Sequence, residues 1–122
     1  MTTVETKGLA DELLDCLIKH ELWVDCRIYF NGMAYSTDDN HGRHSYNNPR
    51  KVYKLTDIYP QDFFDYNGDI LSMSFEGPLY EALNGYLGAG GDEVERELSD
   101  ILEKHGLYYE LGNAWNLSVY EI

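Results

Sequence analysis

The chain has 122 residues, 43% apolar and 14% aromatic, and sets 22 acidic residues against nine lysines and arginines, for a net charge of −13. That length suits one domain with a single core, the apolar content with eleven tyrosines excludes a disordered chain, and the missing basic stripe excludes a simple nucleic-acid binder. No run approaches the ~20 apolar residues of a membrane span and no leader-like segment opens the chain, so a soluble, cytoplasmic protein is expected.

Leu9, Leu13, Cys16, Leu17 and His20 recur at helical spacing with Asp11, Glu12, Asp15 and Lys19 opposite, which predicts a helix from about Lys7 to His20. Val24, Cys26, Ile28 and Phe30 then alternate with Trp23, Asp25, Arg27 and Tyr29, the period of a strand. Asn31-Gly32 is a hairpin signal because both residues accept positive φ, and Met33–Thr37 is the return strand. Asp38–Arg50 is polar with a glycine and a proline, hence an exposed loop.

Lys51–Leu55 suits a third strand and Ile70–Phe75 a fourth, with turns at Pro60 and Asn67-Gly68 and aromatics between them that lie over the core. Gly77-Pro78 opens a second helix whose apolar face is Leu79, Ala82, Leu83, Tyr86 and Leu87. Gly88–Gly91 breaks the chain, and Asp92–His105 is a third helix with Val94, Leu98, Ile101 and Leu102 inward and Gly106 as its stop. Leu107–Ile122 closes as a hairpin around Gly112-Asn113. The order α-β-β-β-β-α-α-β-β is that of an α+β fold: a mainly antiparallel sheet of five to six strands with three helices on one face.

Candidate chemistry is sparse. His41 and His44 beside Asp38 and Asp39 have a weak metal-like spacing with no helix to fix both rings on one face. Cys16 and His20, four apart on a helix, have the spacing of a thiolate–imidazole pair but lie on its apolar stripe. Cys26 suits a core position, and two cysteines make no disulfide framework. No catalytic residue, metal site or cofactor is therefore expected. The glycine turn before Asp92 has the look of a phosphate cradle, but Asp92 and Glu93 stand where a phosphate loop needs lysine and serine or threonine. Their carboxylates would repel a phosphate at ~4 Å by roughly 1–4 kcal/mol and themselves occupy the positive end of the helix dipole.

Charge is the most informative feature. Residues 1–56 carry eight acids and seven bases; residues 57–122 carry fourteen acids and only Arg96 and Lys104 as bases. Such asymmetry marks an interaction surface for a basic partner. The third helix supplies Asp92, Glu93, Glu95, Glu97, Asp100 and Glu103, partly neutralised if Arg96 pairs with Asp92 or Asp100 four residues away. Asp62, Asp65, Asp69 and Glu81 add to the field if their segments lie beside that helix. Tyr46, Tyr53, Tyr59 and Tyr66 are candidate contact residues, and the locally basic Asn40–Pro49 loop is a second candidate contact region.

Two segments, ILSMSFEGPLYEALNGYLG and HGLYYELGNAWNLSVYEI, resemble small acidic proteins carried on conjugative and phage elements of Gram-positive bacteria, several of which are anti-restriction or anti-CRISPR inhibitors. The likeness covers roughly residues 70–120, with a weaker echo in the Asn31-Gly32 hairpin, and it brings no catalytic motif. It implies a non-enzymatic inhibitor in the bacterial cytoplasm, bound to a CRISPR nuclease of the Cas9 type (type II-A) with or without its guide RNA, and contacting neither free nucleic acid nor membrane. Such nucleases hold guide and target in positively charged channels that an acidic protein can enter. An immunity protein or antitoxin capping a nuclease toxin fits the same electrostatics.

Overall fold

Two layers share one core: a six-stranded antiparallel sheet and a set of helices on one of its faces. The computed structural model describes residues 1–64, 70–85 and 88–122. Among these, the elements in chain order are α1 (Thr3–Lys19), β1 (Cys26–Phe30), β2 (Met33–Ser36), β3 (Tyr53–Thr56), a 3-10 turn (Pro60–Asp62), β4 (Ser72–Phe75), α2 (Pro78–Leu83), α3 (Ala89–Lys104), β5 (Leu107–Asn113) and β6 (Asn116–Glu121). The sheet order is β3-β2-β1-β4-β6-β5, so the expected α+β class and element order are both present. Asn67-Gly68, Tyr66, Tyr86 and Leu87 lie outside the described residues.

Helix α1 begins four residues before the expected Lys7. Thr2 caps it, accepting from the Glu5 amide while the Glu5 carboxylate accepts from the Thr2 amide, a reciprocal box that satisfies two otherwise unpaired donors. The Asn31-Gly32 turn takes the expected left-handed conformation, with φ of 52° and 72°.

Two breaks in the chain fall elsewhere than the sequence reading places them. Helix α3 starts at Ala89 rather than Asp92, so Gly90 and Gly91 form part of its first turn; the break is at Gly88, whose φ of 58° suits glycine. The last hairpin turns at Ala114-Trp115 rather than at Gly112-Asn113, because a register irregularity between Leu111 and Asn113 carries the pairing on to Asn113↔Asn116. The Asn113 carboxamide oxygen accepts from the Trp115 amide and holds this turn.

Strand alternation splits the sheet into two faces. Cys26, Ile28, Phe30, Tyr35, Met73, Phe75, Leu117 and Val119 meet Leu9, Leu13 and Leu17 of α1, Leu79 of α2, and Val94, Leu98 and Leu102 of α3 in the main core. On the other face Tyr29 and Ala34 lie under Ile58, Phe64 and Trp115, a small second cluster made by the segment after β3. The expected aromatic lid therefore covers the sheet's far face, with Phe64 edge-on to both Tyr29 and Trp115.

The Asp38–Arg50 loop is a loop as expected, tied by one bridge between Asp38 and His44. Its anchor is the half-buried Arg27, which donates to both carboxylate oxygens of Asp38 and to the Asn40 side chain. Burial pushes the Asp38 carboxyl up, but the Arg27 guanidinium and the Ser36 hydroxyl outweigh it and hold it below the usual carboxylate range. A carboxylate held low contributes stability above its unfolded pKa, lost as pH falls through the folded one. Asp38→Asn should thus cost about 2 kcal/mol near neutrality. In urea melts its deficit should shrink between pH 5 and 3, while a deficit independent of pH would mean that the charge of Asp38 is not the source.

Two glycines make opposite predictions. A Cβ at Gly77 would lie 2.5 Å from the Val24 carbonyl oxygen, whereas one at Gly90 meets nothing within 4 Å. Gly77→Ala should destabilise by about 1–3 kcal/mol through backbone displacement, and Gly90→Ala should stabilise by up to ~1 kcal/mol through helix propensity. Denaturant midpoints of the two variants, read against wild type, check both signs.

Candidate functional site: the acidic outer face of helix α3

Helices α1 and α3 run antiparallel, and their side chains show it. Near the C-terminus of α3, Lys104 and His105 (2.9 Å) both donate to Glu12 of α1. Two turns away, Lys19 (3.1 Å) and His20 of α1 both donate to Glu97 of α3. The steps match, seven residues along each helix, and the polarity reverses between the two clamps. Lys104 leads in holding Glu12 below the usual carboxylate range, and His20, then Lys19, do the same for Glu97. Exposed pairs of this kind are worth under ~1 kcal/mol each, so they set register more than stability.

The clamps sort the acids of α3. Glu97 is engaged with α1 and belongs to the helix–helix seam, not to a free surface. Asp92, Glu93, Glu95, Asp100 and Glu103 are exposed. The expected neutralisation by Arg96 is not formed: among the described residues Arg96 makes no ion pair with Asp92 or Asp100, and Lys104 is drawn aside to Glu12. The exposed carboxylates therefore stand without a basic partner on their own helix.

Of the other predicted acids, Glu81 is exposed on α2, which packs against α3 in the same layer. Asp62 is elsewhere. It ends the 3-10 turn that leads into the lid on the sheet's far face, where it borders a shallow cleft with Asp39, His41 and Asp57. Asp65 and Asp69 lie outside the described residues.

An apolar foothold that charge counting does not reveal adjoins the acids. Leu83, Glu95, Ser99, Glu103, Tyr108 and Leu111 border a groove of about 380 Å³ between α3 and β5. Leu111 is 41% exposed there, on an edge strand, while the Tyr108 ring turns to the sheet's other face against Tyr120. Tyr109 forms the groove's floor; burial first, then Glu95, pushes its phenol up to about 12. Sequence spacing missed this groove because β5 reads only as half of a hairpin. The tyrosines expected at contacts are remote from it: Tyr46 stacks on His44 and donates to Asp25, and Tyr53 lies under Lys51. Tyr59, 43% exposed, packs beside Gly32.

The chemical candidates divide. His41 and His44 do not converge. Asp39 accepts from the His41 and Arg43 amides, Asp38 is held by Arg27, and His44 faces Asp25. The Cys26 thiol is buried, pushed up to about 12, and turned onto backbone carbonyls. Cys16 and His20 do face each other, and Glu97 joins them, with ligating atoms of all three within 4.8 Å of one another. The Cys16 thiol is no activated nucleophile, since burial and then Glu97 push it up to about 11.

Glu103 sits in the last turn of α3, at the negative end of the helix dipole, and Asp100 is one turn-spacing before it. Both the dipole and their mutual repulsion oppose them. Glu103→Gln should raise stability by about 0.3–1 kcal/mol, with Asp100→Asn adding to it in urea denaturation. A loss of stability would give Glu103 an internal role and take it off the surface. No protein-family model matches the chain, and no curated protein or solved structure matches it either.

Proposed function

We propose that the chain is a non-enzymatic binding protein that docks the outer face of α3 into the basic groove of a nucleic-acid-binding nuclease and keeps nucleic acid out. The observation that carries this reading is the run of unpartnered carboxylates, Asp92, Glu93, Asp100 and Glu103, on one rigid helix whose bases do not neutralise them. A 16-residue helix is ~24 Å long, so its five exposed carboxylates are spaced at roughly 5 Å, somewhat wider than the ~3.4 Å between phosphates of one strand. Two of the four stand where the helix itself disfavours them, which is expected of residues kept for a partner rather than for the fold. Leu111, exposed at the groove beside Glu95 and Glu103, supplies apolar contact area.

The resemblance of residues 70–120 to mobile-element inhibitors supports a CRISPR effector of the Cas9 type as the target, approached by charge steering and blocked at its nucleic-acid channel. Among the described residues Cys16 and Cys26 are buried thiols, and the loop histidines His41 and His44 do not converge.

The test is binding of target DNA by a guide-loaded effector in the presence of the purified protein. Inhibition should occur and should weaken steeply with salt. Reversing Asp92, Glu93, Asp100 and Glu103 to lysine should abolish it, while reversing Asp39 and Asp62 on the far side leaves it intact. Full inhibition by the quadruple variant would refute the α3 surface as the docking site.

A further inference from the structure

We propose that Cys16, His20 and Glu97 form a Zn²⁺ site that joins α1 to α3, independent of the docking reading above. Two of the groups come from adjacent turns of α1, where a spacing of four puts them on one side of the helix, and the third comes from the facing helix. Thiol sulfur, imidazole nitrogen and carboxylate oxygen all lie within 4.8 Å of one another, so side-chain shifts of about 1 Å bring them to the roughly 3.4–3.7 Å between donors of one tetrahedral ion. The donors are graded in burial: Cys16 is 4% exposed, the His20 side chain 20% and the Glu97 side chain 32%. The sulfur thus forms the inner wall, and a fourth position faces outward to water.

The donor chemistry selects the ion. One thiolate, one imidazole and one carboxylate suit Zn²⁺, and the thiolate disfavours Mg²⁺ and Ca²⁺. Nε2 of His20 already points at Glu97 Oε2. A metal bonded at ~2.0–2.3 Å to each donor takes the place of the proton between them and needs that contact to open by under about 1 Å. The Cys16 thiol gives its proton to solvent on binding, as a zinc thiolate must. Lys19, on the other oxygen of Glu97, remains as an outer partner that fixes the carboxylate's orientation. A net charge of −13 concentrates cations around the chain.

Neither sequence motif pointed here. Cys16 and His20 alone are two ligands, and Glu97 lies 77 residues from His20; only the antiparallel packing of α1 on α3 completes the set.

The experiment is titration of the chelator-treated, full-length protein with Co²⁺ and then Zn²⁺. A thiolate-to-cobalt charge-transfer band should appear, saturate at one ion per chain, and be displaced by one equivalent of Zn²⁺. Cys16→Ser should abolish the band. His20→Ala and Glu97→Gln should each weaken Zn²⁺ binding about tenfold or more. Cys26→Ala and the double variant His41→Ala, His44→Ala should bind as wild type does. Glu97→Gln keeps the side chain's size, so if Cys16→Ser fails to fold it still decides the matter: Zn²⁺ should raise the melting temperature of wild type but not of Glu97→Gln. Absence of the cobalt band in folded wild type, or unchanged Zn²⁺ affinity in both His20→Ala and Glu97→Gln, would overturn the site.

Discussion

Everything on the helical side of the molecule depends on the antiparallel seam between α1 and α3. These helices are far apart in sequence, with Lys19 and Glu97 78 residues apart, and of the strands between them β1, β2 and β3 join as sequence-local hairpins while β4 pairs with β1 across a long connection. The seam is therefore a long-range closure of the helical layer, as the β1–β4 and β4–β6 pairings are of the sheet. Leu9, Leu13 and Leu17 from one helix and Leu98 and Leu102 from the other supply its apolar content. The two clamps, Glu12 with Lys104 and His105, and Glu97 with Lys19 and His20, fix its register. Because their polarity reverses, a shift of one helix along the other by two turns would set like charges together, Glu12 on Glu97 in one direction or Lys19 on Lys104 in the other. Registration by alternating charge costs little in a well-packed state and penalises its nearest rivals.

That same seam decides which charges the surface presents. It draws the terminal lysine of each helix, Lys19 and Lys104, onto a carboxylate of the other. The other acids of α3 are exposed, and among the described residues none of them makes an ion pair. An acidic outer face is thus a product of packing as well as of composition. The far face of the sheet behaves differently. There Arg27 is caged by Asp38 and Phe63, and the acids around it are absorbed into loop hydrogen bonds.

Much of the architecture was legible in the sequence because it rests on local signals. The period of α1, the Asn31-Gly32 turn, the Pro78 start of α2 and the Gly106 stop each act within a few residues, and each is present. The misjudged points are those where a distant residue competes with a local rule. Gly90 and Gly91 look like a breaker, but α3 is held down by its packed side chains, and two glycines at the start of a helix cost it only ~1 kcal/mol apiece. Gly112-Asn113 looks like a hairpin turn, but pairing with β6 carries the strand past it. At the site, the acids of α3 could be named from the chain. Which of them is spent on α1, and that Asp62 lies on the other face, follow only from how the layers stack.

Glu97 shows why counting acids misleads about mechanism. On composition it is one of six equivalent carboxylates on a helix. In the fold it accepts from Lys19 and His20, lies beside the Cys16 thiol and is only about one-third exposed, whereas its neighbours in the count face solvent. A carboxylate with two donors and a third group converging on it is organised from within, and its energy depends on α1. A carboxylate such as Glu103, with no hydrogen bond or ion pair among the described residues and an opposing helix dipole, gains nothing from the fold that surrounds it. One helix therefore carries two kinds of acid with opposite physical logic. The inward kind ties α3 to α1, and the outward kind is displayed as a row on the helix so held.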